Sequence, residues 1–488
     1  MTVGVPEGLA PEYLEEHRLL PLACDDGRLL LACAGRPDPQ AVAELEELFG
    51  ARAELRELPE AELLEEIRRA VAQGATAAGL VADLRSPGAG GMDGEAVAHD
   101  LEAMANQAPV VRLVNLLLAE AVEAGASDVH LEAEARGAAV RYRIDGALHP
   151  APAPPAHLRA AVVSRLKIMA ELDIAERRLP QDGRVRLRTG GRELDVRVST
   201  LPTLHGESVV LRLLDLEGRR IGLEGLGLAD DTRAALESFA ARPHGVLLST
   251  GPTGSGKTTT LYALVERLRT GREKVVSVED PVEYELPGVA QVPVSARSGL
   301  TFARALRAIL RQDPDVLLVG EMRDPETAEI CIQAAMTGHL VLSTLHTNDA
   351  PGALTRLVDL GVADYLVAST VEGILAQRLV RRVCASCAAP EPPPIEVARE
   401  MEAAGFAAER VLRGSGCAAC RDTGYRGRTG IYELVVMTPP LRAALLRRPD
   451  ADSLRRLALA EGMRPLRADG WRQVAAGVTS VEEVVRCA

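Results

Sequence analysis

Two patterns of apolar and polar positions divide the chain near residue 220. Before that point, short segments in which apolar and polar residues alternate are separated by turn residues, for example Asp145-Gly146 and Thr189-Gly-Gly191. Such alternation between turns predicts antiparallel hairpins. The predicted strands cover residues 128–132, 140–144, 184–188, 193–199 and 209–213.

Two of these strands carry arginines of interest. In the strand over 193–199, residues 194, 196 and 198 are apolar and share one face, which places Arg197 on the other face. Arg212 lies in the strand over 209–213 and shares its face with Val210. Arginines on the solvated face of a sheet are most often an ordinary surface, so spacing alone gives these two side chains little functional weight.

The segment before the hairpins has the apolar periodicity of an amphipathic helix. We predict this helix over residues 97–124 as one continuous element. Its apolar face consists of Val111, Val114, Leu117 and Leu118. The segment over 86–94 contains proline and several glycines and is typical of a flexible linker, so a domain boundary belongs there.

The first part of the chain predicts a small separate module. Residues 41–48 and 59–72 carry helical signals, and residues 28–33 form a short apolar run typical of a strand. The module is therefore expected to be α/β or mostly helical. Cys24 and Cys33 in it are expected to be buried small residues rather than ligands.

After residue 220, apolar runs of strand length alternate with helical segments, which is the pattern of a mostly parallel sheet covered on both faces. The predicted strands cover residues 245–250, 274–278, 316–319 and 340–345. A loop follows the first of these strands, and a helix is predicted after the loop over residues 259–269.

This loop matches the phosphate-loop pattern G-x-x-x-x-G-K-[ST] at every required position. Its glycines let consecutive backbone N–H groups turn toward a polyphosphate, and the following helix adds the positive end of its dipole. Lys257 is expected to reach the β and γ oxygens, and Thr258 to ligate Mg²⁺. A nucleoside triphosphate is the expected ligand, against the alternative of a glycine-rich turn that binds nothing. The predicted nucleotide-binding residues are Gly251, Pro252, Thr253, Gly254, Ser255, Gly256, Lys257, Thr258, Thr259 and Asp280.

Acidic residues and a histidine stand at the ends of three predicted strands. Glu279 and Asp280 end one strand, and Glu321 follows another. His346 follows a third. Each residue alone would be better explained as a cap or an ion-pair partner. Because catalytic groups of open α/β sheets gather at the carboxyl ends of the strands, the four together favour catalysis.

One position differs from a common nucleotide-binding pattern. In that pattern an aspartate at the end of the strand positions Mg²⁺, whereas here Gly320 stands just before Glu321. The predicted positioning of Mg²⁺ therefore rests on Thr258, on water, and on the pair formed by Glu279 and Asp280.

Composition narrows the class of protein. The chain has 488 residues, too many for one core, with a formal net charge of −13 and 2% aromatic residues. An acidic, aromatic-poor chain lacks the basic face and the stacking aromatics of a nucleic-acid motor, so no direct nucleic-acid partner is expected. No apolar run reaches the length of a membrane span, and the N-terminus lacks the pattern of a signal peptide. We expect a cytoplasmic protein that reaches a membrane only through partners.

Four of the eight cysteines form two C-x-x-C pairs. These cysteines are Cys384, Cys387, Cys417 and Cys420. In a reducing compartment such pairs indicate a metal rather than disulfides, and four thiolates favour structural Zn²⁺. A redox dithiol and thiols without a role are the alternatives.

Four motifs together resemble those of the secretion ATPase superfamily that drives type II secretion and type IV pili. They are the phosphate loop, an Asp box over 278–283, a Walker B segment over 310–324 and a His box over 337–349. The resemblance covers roughly residues 97–488 and extends to the glycine before Glu321. The cysteine pairs resemble the metal-binding insert of type II secretion and pilus-extension motors. The phrases over 175–184 and 374–381 look more like the type II secretion, or GspE, branch.

The resemblance implies a homohexameric ATPase that uses ATP and Mg²⁺ and passes its motion to an inner-membrane platform. It implies an α/β fold in which a RecA-like P-loop ATPase domain follows an N-terminal PAS-like α+β domain. A small N-terminal module would dock on the cytoplasmic part of a membrane partner, which places the protein at the inner membrane peripherally. Arg197 and Arg212 match arginines that the PAS-like domain supplies to ATP hydrolysis. Glu321, Glu279 and His346 are the other catalytic candidates.

We therefore predict a motor that powers pseudopilus assembly for protein export. A motor for type IV pilus extension or DNA uptake is the alternative, and a RecA-like nucleic-acid motor or a scaffold that does not hydrolyse nucleotide fits less well. The predicted organisation is a docking module (1–85), a linker (86–96), a PAS-like domain (97–220), an interdomain linker (221–235), a RecA-like core (236–383), a tetracysteine zinc insert (384–420) and a C-terminal helical part of the ATPase domain (421–488).

Overall fold

The computed structural model of the chain describes residues 13–14, 17–25, 28–35, 37–60, 62–64, 67, 76–85, 98–189, 192–215, 221–269, 271–295, 298–447 and 450–488. The chain divides into two compact units, residues 1–217 and 218–488. The linker predicted over 86–96 and most of the helix predicted over 59–72 lie outside the described residues. Among the described helices, none combines the length and the apolar character needed to cross a lipid bilayer.

The N-terminal module is a small α/β structure. It contains β1 (Leu19–Asp25), β2 (Arg28–Cys33), α1 (Pro39–Phe49) and β3 (Arg52–Glu57). Strand β2 pairs antiparallel with β1 and parallel with β3, so α1 is the crossover between the parallel strands. Helix α1 begins where the Asp38 side chain accepts a hydrogen bond from Gln40 N at 3.0 Å, and it ends at Gly50 in the left-handed conformation. Of the two alternatives that the sequence left open, the α/β one is confirmed.

The rest of the first unit is an antiparallel sheet packed against helices. Its helices are α2 (Ala77–Arg85), α3 (Ala98–Ala105), α4 (Ala108–Glu123) and α5 (Arg159–Met169). Its strands are β4 (Ala126–Glu134), β5 (Gly137–Ile144), β6 (Ala147–Ala151), β7 (Gln181–Thr189), β8 (Arg192–Thr203) and β9 (Gly206–Asp215). The strand order is β6-β5-β4-β9-β8-β7. Apolar residues of α4, α5 and one face of the sheet form a single core. The antiparallel pairs β4–β5 and β7–β8 confirm the predicted hairpins.

The prediction of one continuous helix over 97–124 is wrong, because α3 and α4 are separate helices. Gln107 between them has an extended conformation with φ −65° and ψ 140°. Pro109 has no N–H to donate to the carbonyl four residues earlier, so it is tolerated in the first turn of a new helix but not inside a continuing one. The buried face of α4 includes the predicted Val114, Leu117 and Leu118.

The second unit is built on a seven-stranded, mostly parallel sheet. Its strands are β10 (Gly245–Thr250), β11 (Val275–Glu279), β12 (Ala290–Pro293), β13 (Val316–Val319), β14 (Leu340–Leu345), β15 (Val371–Val383) and, after the insert, β18 (Tyr425–Val436). The order is β12-β11-β13-β14-β10-β15-β18, and within this sheet only β18 runs antiparallel to its neighbour among the described strands. Helices cover both faces, as the buried character of β10, β11, β13 and β14 requires.

The helices around this sheet complete the α/β fold. They are α6 (Asp230–Ala240), α7 (Lys257–Leu268), α8 (Phe302–Ile309), α9 (Pro325–Met336), α10 (Ala350–Asp359) and α11 (Asp364–Thr370), followed after the insert by α13 (Pro439–Leu445), α14 (Ala451–Ala460), α15 (Leu466–Ala475) and α16 (Val481–Cys487). The insert contains β16 (Ala388–Glu391), α12 (Ile395–Ala403) and β17 (Val411–Gly414).

Several boundaries in this unit differ from the predictions. Strand β11 covers Val275–Glu279 rather than residues 274–278, and α6 begins at Asp230, inside the interdomain linker predicted over 221–235. The helix after the phosphate loop begins at Lys257 rather than at residue 259, because Gly256 in the left-handed conformation already ends the loop. The segment after residue 420, expected to be helical, first forms the strand β18 on the edge of the sheet. Strand β18 is favoured there because a long antiparallel ladder with β15 pairs the backbone groups on the facing sides of the two strands.

Candidate active site and metal centre

The phosphate loop leaves the carboxyl end of β10, the strand between β14 and β15. Every residue of β10 is buried, so the start of the loop is held by a rigid element. Three glycines in the loop, Gly251, Gly254 and Gly256, have φ values of 148°, 77° and 91°. Such positive φ angles are accessible to glycine and strained for other residues. The loop therefore has glycines in the backbone conformations that the phosphate-loop pattern predicts.

Gly251 is also held by close packing. A Cβ atom at this position would lie 2.6 Å from the carbonyl oxygen of Gln377 and 2.7 Å from Ser255 Oγ. These contacts are shorter than real Cβ atoms make, so a side chain at residue 251 would displace the loop from β15. In the loop and the turn after it, Ser255 is buried, Thr259 is half-buried, and Pro252, Thr253 and Thr258 are exposed.

Lys257 occupies the first position of α7 and is almost buried, with 8% of its surface exposed. Its Nζ donates to the carbonyl oxygens of Gly251 at 2.8 Å and Pro252 at 3.0 Å. Burial lowers the pKa of Lys257 to about 8; the charge of Glu321 opposes this effect and that of Arg378 adds to it. An anion beside the loop would favour the charged form of the amine and raise this pKa again.

We predict that nucleotide binding is accompanied by proton uptake above neutral pH. In the free protein Lys257 is mostly charged at pH 7 and loses its proton as the pH passes about 8. A bound triphosphate requires the charged amine, so at about pH 9 binding should take up close to one proton, and affinity should fall as the pH rises. Calorimetry in buffers of different ionisation enthalpy measures this uptake. Uptake that is the same at pH 7 and pH 9 would contradict the prediction.

Glu321 and His346 meet at the edge of the sheet, as their positions after β13 and β14 predict. His346 Nε2 lies 3.3 Å from Glu321 Oε2, and Arg323 Nε lies 2.6 Å from the same oxygen. The Glu321 side chain is 11% exposed, whereas His346 and Arg323 are 45% and 72% exposed. Glu321 Oε1 accepts no hydrogen bond from the part of the chain that the structure describes. The carboxylate is thus oriented through one oxygen and can accept from a water molecule through the other.

Glu279 has a different environment although it also ends a strand. It is 3% exposed, and its carboxylate accepts hydrogen bonds from Ser277 Oγ at 2.5 Å, Gln291 Nε2 at 3.2 Å and the hydroxyl of Tyr262. Tyr262 belongs to α7, so these bonds connect the helix after the phosphate loop with the end of β11. The neighbouring Asp280 is exposed. Glu279 therefore has its acceptor positions occupied by protein groups, and Asp280 is the more accessible of the two carboxylates.

Arg197 and Arg212 lie in the first unit, where they are register neighbours on β8 and β9. The buried neighbours of Arg197 along β8, Val196 and Val198, face the core, so the arginine lies on the opposite face of the sheet as predicted. Arg212 Nε donates to Asp128 Oδ1 at 2.9 Å, with the arginine side chain 59% exposed and the aspartate 8% exposed. Since this bond uses Nε–H, the two terminal nitrogens of Arg212 can donate to another molecule.

The four cysteines of the two C-x-x-C pairs come together at the base of the insert. Their sulfur atoms all lie within 4.8 Å of one another, and three of the separations are 3.9 Å (Cys384–Cys417), 3.8 Å (Cys387–Cys420) and 3.7 Å (Cys417–Cys420). A tetrahedron with Zn–S bonds of about 2.3 Å has edges of roughly 3.8 Å, so the thiols fit a tetrahedral metal ion.

Local backbone groups favour a thiolate at one of these positions. Burial would raise the pKa of Cys420, but the N–H groups of Cys417 and Gly424, each 3.2 Å from Cys420 Sγ, together with the neighbouring thiols lower it to about 6. Such N–H···S bonds stabilise the charged form that binds metal. The cluster can therefore hold a metal ion without a change of backbone.

Gln377 and Arg378 lie beside the phosphate loop, although no motif or spacing in the sequence predicts this position. Gln377 donates to Ser255 O at 2.8 Å and accepts from Ser249 Oγ at 3.1 Å, so it links β15 with both β10 and the loop. Arg378 follows it on β15. Both lie within the phrase over 374–381 that carries the family resemblance, but spacing alone does not place this strand beside the loop.

Comparison with family models identifies two matches. Residues 103–486 match the model described as "Type II/IV secretion system protein", and residues 4–77 match the MshEN domain. The first match covers most of the chain, including the phosphate loop, Glu321, His346 and the four cysteines.

Curated relatives and a solved structure agree with the first match. The chain is 54% identical over 379 residues to type II secretion system protein HxcR of Pseudomonas aeruginosa, covering 78% of this chain and 77% of that protein. It is 45% identical to type II secretion system protein E of the same organism, covering 100% of this chain and 99% of that protein. The crystal structure of the pilus retraction motor PilT with bound ADP aligns with a TM-score of 0.51 and 27% identity, covering 76% of this chain and 96% of that chain.

Proposed function

This chain belongs to the type II/IV secretion system protein family, and on that premise we propose that it is an ATP-hydrolysing motor that powers pseudopilus assembly and protein export. The observation that carries the proposal is the convergence of Lys257, Glu321 and His346 at one edge of a parallel sheet, next to an open phosphate loop. The similarity of the whole chain to type II secretion system protein E supports protein export rather than pilus extension as the function.

Within this proposal each residue of the loop has a distinct task. Lys257 exchanges its two carbonyl partners for oxygens of the β and γ phosphates. Thr258, exposed at the start of α7, and the accessible Asp280 are the groups that would hold Mg²⁺, directly or through water. When bound there, Mg²⁺ would neutralise charge that develops on the phosphates.

Glu321 acts as the group that orients and polarises the attacking water. Its free Oε1 and the bonds that fix Oε2 suit this task. His346 holds the carboxylate through its Nε2, and in this proposal it also contacts the transferred phosphoryl group. Glu279 positions the end of β11 against α7 through Tyr262 and has a supporting part in catalysis.

The working form in this proposal is a homohexameric ring at the inner membrane. Arg197 and Arg212 would be supplied to the nucleotide by domain closure or by a neighbouring subunit, because Lys257 and Mg²⁺ leave part of the transition-state charge uncompensated. The N-terminal module would bind the cytoplasmic part of an inner-membrane platform protein, so the motor reaches the membrane through that partner.

Export is tested by complementation. In a host that lacks its own type II secretion motor, the chain should restore release of a secreted enzyme into the medium, and the variant Lys257→Ala should not. Restoration of pilus extension without restoration of enzyme release would instead assign the chain to a pilus motor.

We also propose that the cysteine cluster binds one structural Zn²⁺ per chain. The convergence of all four sulfur atoms at the separations of one tetrahedron supports zinc over a redox dithiol, since a redox dithiol requires only one pair of cysteines. The zinc would tie the end of β15 to the start of β18 across the insert. No step of hydrolysis is assigned to it.

Replacement of Cys417 by Ser is predicted to abolish zinc binding and leave nucleotide binding intact. Metal analysis of the wild-type protein under reducing conditions should give close to one zinc per chain, and the variant close to none. Because the metal supplies much of the folding free energy of a small insert, the variant should be cut by protease within residues 384–420. Cys487→Ser, outside the cluster, is the matched control and should keep its zinc. Wild-type protein free of zinc would reject the proposal.

A further inference from the structure

Arg378 lies beside the first glycine of the phosphate loop. Its Nη1 is 3.1 Å from the point that a Cβ of Gly251 would occupy. Two hydrogen bonds hold the guanidinium, from Nη1 to Gln377 O at 3.1 Å and from Nη2 to Asn348 O at 2.8 Å. Asn348 belongs to the segment that follows β14 and contains His346, so the Arg378 guanidinium lies close to the phosphate loop and is hydrogen-bonded to the segment of His346.

The charge of Arg378 is compensated only at a distance, by the carboxylates of Glu433 and Asp349. Carbonyl oxygens accept both of its hydrogen bonds, and no carboxylate of the described residues lies within ion-pairing distance of it. Burial lowers the pKa of Arg378, which shows that its charge is partly removed from water. A guanidinium in such a place is costly unless an anion accompanies it.

Lys257 is also partly removed from water, and the charge of Glu321 compensates it in part. Its Nζ is also bound by carbonyl oxygens alone, and it is close enough to Arg378 for the two charges to repel each other. Two partly desolvated cations near one another form a site that an anion stabilises twice. The hydroxyl of Ser255 adds a third polar group, since it is buried, has no hydrogen-bond partner among the residues that the structure describes, and lies 2.7 Å from the same point above Gly251.

We propose that Arg378 contacts the terminal phosphoryl group of the bound nucleoside triphosphate. The proposal rests on the assignment of this loop as the ATP site. The terminal group is favoured over the inner phosphates because Arg378 is bonded to the segment that contains His346, and His346 contacts Glu321, the residue proposed to orient the attacking water. Arginine suits this position because its planar donors can bind two oxygens of one phosphoryl group.

If Arg378 had only a structural role, its removal would have a different effect on nucleotide binding. If the side chain only fastened residues 348 and 377 beside the loop, its removal would disturb the loop for every nucleotide. If it contacts the terminal phosphoryl group, its removal affects triphosphate binding far more than diphosphate binding. The ratio of the two affinities therefore separates these parts.

The experiment measures equilibrium binding of ADP and of the non-hydrolysed analogue β,γ-imido-ATP, both with Mg²⁺, to the full chain. Arg378→Gln should weaken binding of the analogue by about 10-fold or more, as expected for loss of a charge-assisted hydrogen bond, and binding of ADP by less than about 3-fold. Arg382→Gln removes the same charge from an exposed position on the same strand and should change neither affinity.

Equal weakening of both nucleotides, or weakening of neither, would overturn the proposal. If Arg378→Gln unfolds at a lower temperature than Arg382→Gln, then Arg378→Lys provides the test, since it keeps the charge but loses the planar donors. Arg378→Lys should still bind β,γ-imido-ATP more weakly than wild type does, with a smaller change in its affinity for ADP. Lys257→Ala tests the underlying assignment separately, because unchanged binding of both nucleotides to that variant would mean that they bind elsewhere.

Discussion

Glu321→Gln is expected to bind ATP with nearly wild-type affinity and to hydrolyse it at least about 100-fold more slowly. The amide keeps the shape of the side chain and an oxygen to accept from His346, but it no longer carries the charge that polarises the attacking water. Phosphate release under saturating ATP and equilibrium binding of nucleotide measure the two effects separately. Lys257→Ala should differ from this variant by losing affinity as well as turnover, since it removes a cation that contacts the phosphates.

Glu279→Gln is the control that distinguishes the two acidic candidates. Its carboxylate accepts from three donors of the protein, so an amide there would place an NH₂ group against at least one of them. We therefore expect Glu279→Gln to unfold at a lower temperature and to lose turnover less than Glu321→Gln does. Near-normal turnover in Glu321→Gln together with its loss in a stably folded Glu279→Gln would exchange the two assignments.

The positions of these two glutamates can be predicted from the sequence, but the difference in their burial cannot. Both follow apolar runs, and the rule that such residues gather at the carboxyl edge of a parallel sheet places both correctly. The rule cannot state which is buried, because that depends on Tyr262 and Gln291, which come from other elements. The sequence thus predicts which reactive groups lie near the strand ends, whereas the burial and hydrogen bonds of each group are known only from the packed structure.

The same limit explains the other differences. Buried runs such as residues 316–319 and 340–345 are predicted with their correct bounds, because a strand covered on both faces has a strong and unambiguous signal. The helix predicted over 97–124 fails at Pro109, where the apolar period continues through a break in the hydrogen-bond ladder. Arg378 was missed because its importance arises from the position of β15 next to β10, a contact that spans more than 120 residues.

The double variant Arg197→Ala, Arg212→Ala is expected to lower turnover by about 1,000-fold while nucleotide affinity stays within about 3-fold of wild type. Arginines delivered to a transferred phosphoryl group act mainly on the transition state, which explains an effect on rate without a matching effect on binding. Arg188→Ala, on the exposed face of the edge strand β7, removes a charge from the same sheet and should retain turnover.

Wild-type turnover per chain should rise with protein concentration as rings assemble.

Mixing variants shows whether the arginines act between subunits. In a ring that contains both the double variant and Lys257→Ala, a subunit with an intact phosphate loop can lie beside a subunit with intact arginines. If the arginines act on the neighbouring subunit, the mixture should recover part of the turnover that each variant lacks alone. Action within one chain predicts no recovery, because each chain then lacks one of the two required parts. A double variant that hydrolyses ATP at the wild-type rate would reject both forms of the proposal and leave Arg212, held by Asp128, as part of an ordinary charged surface.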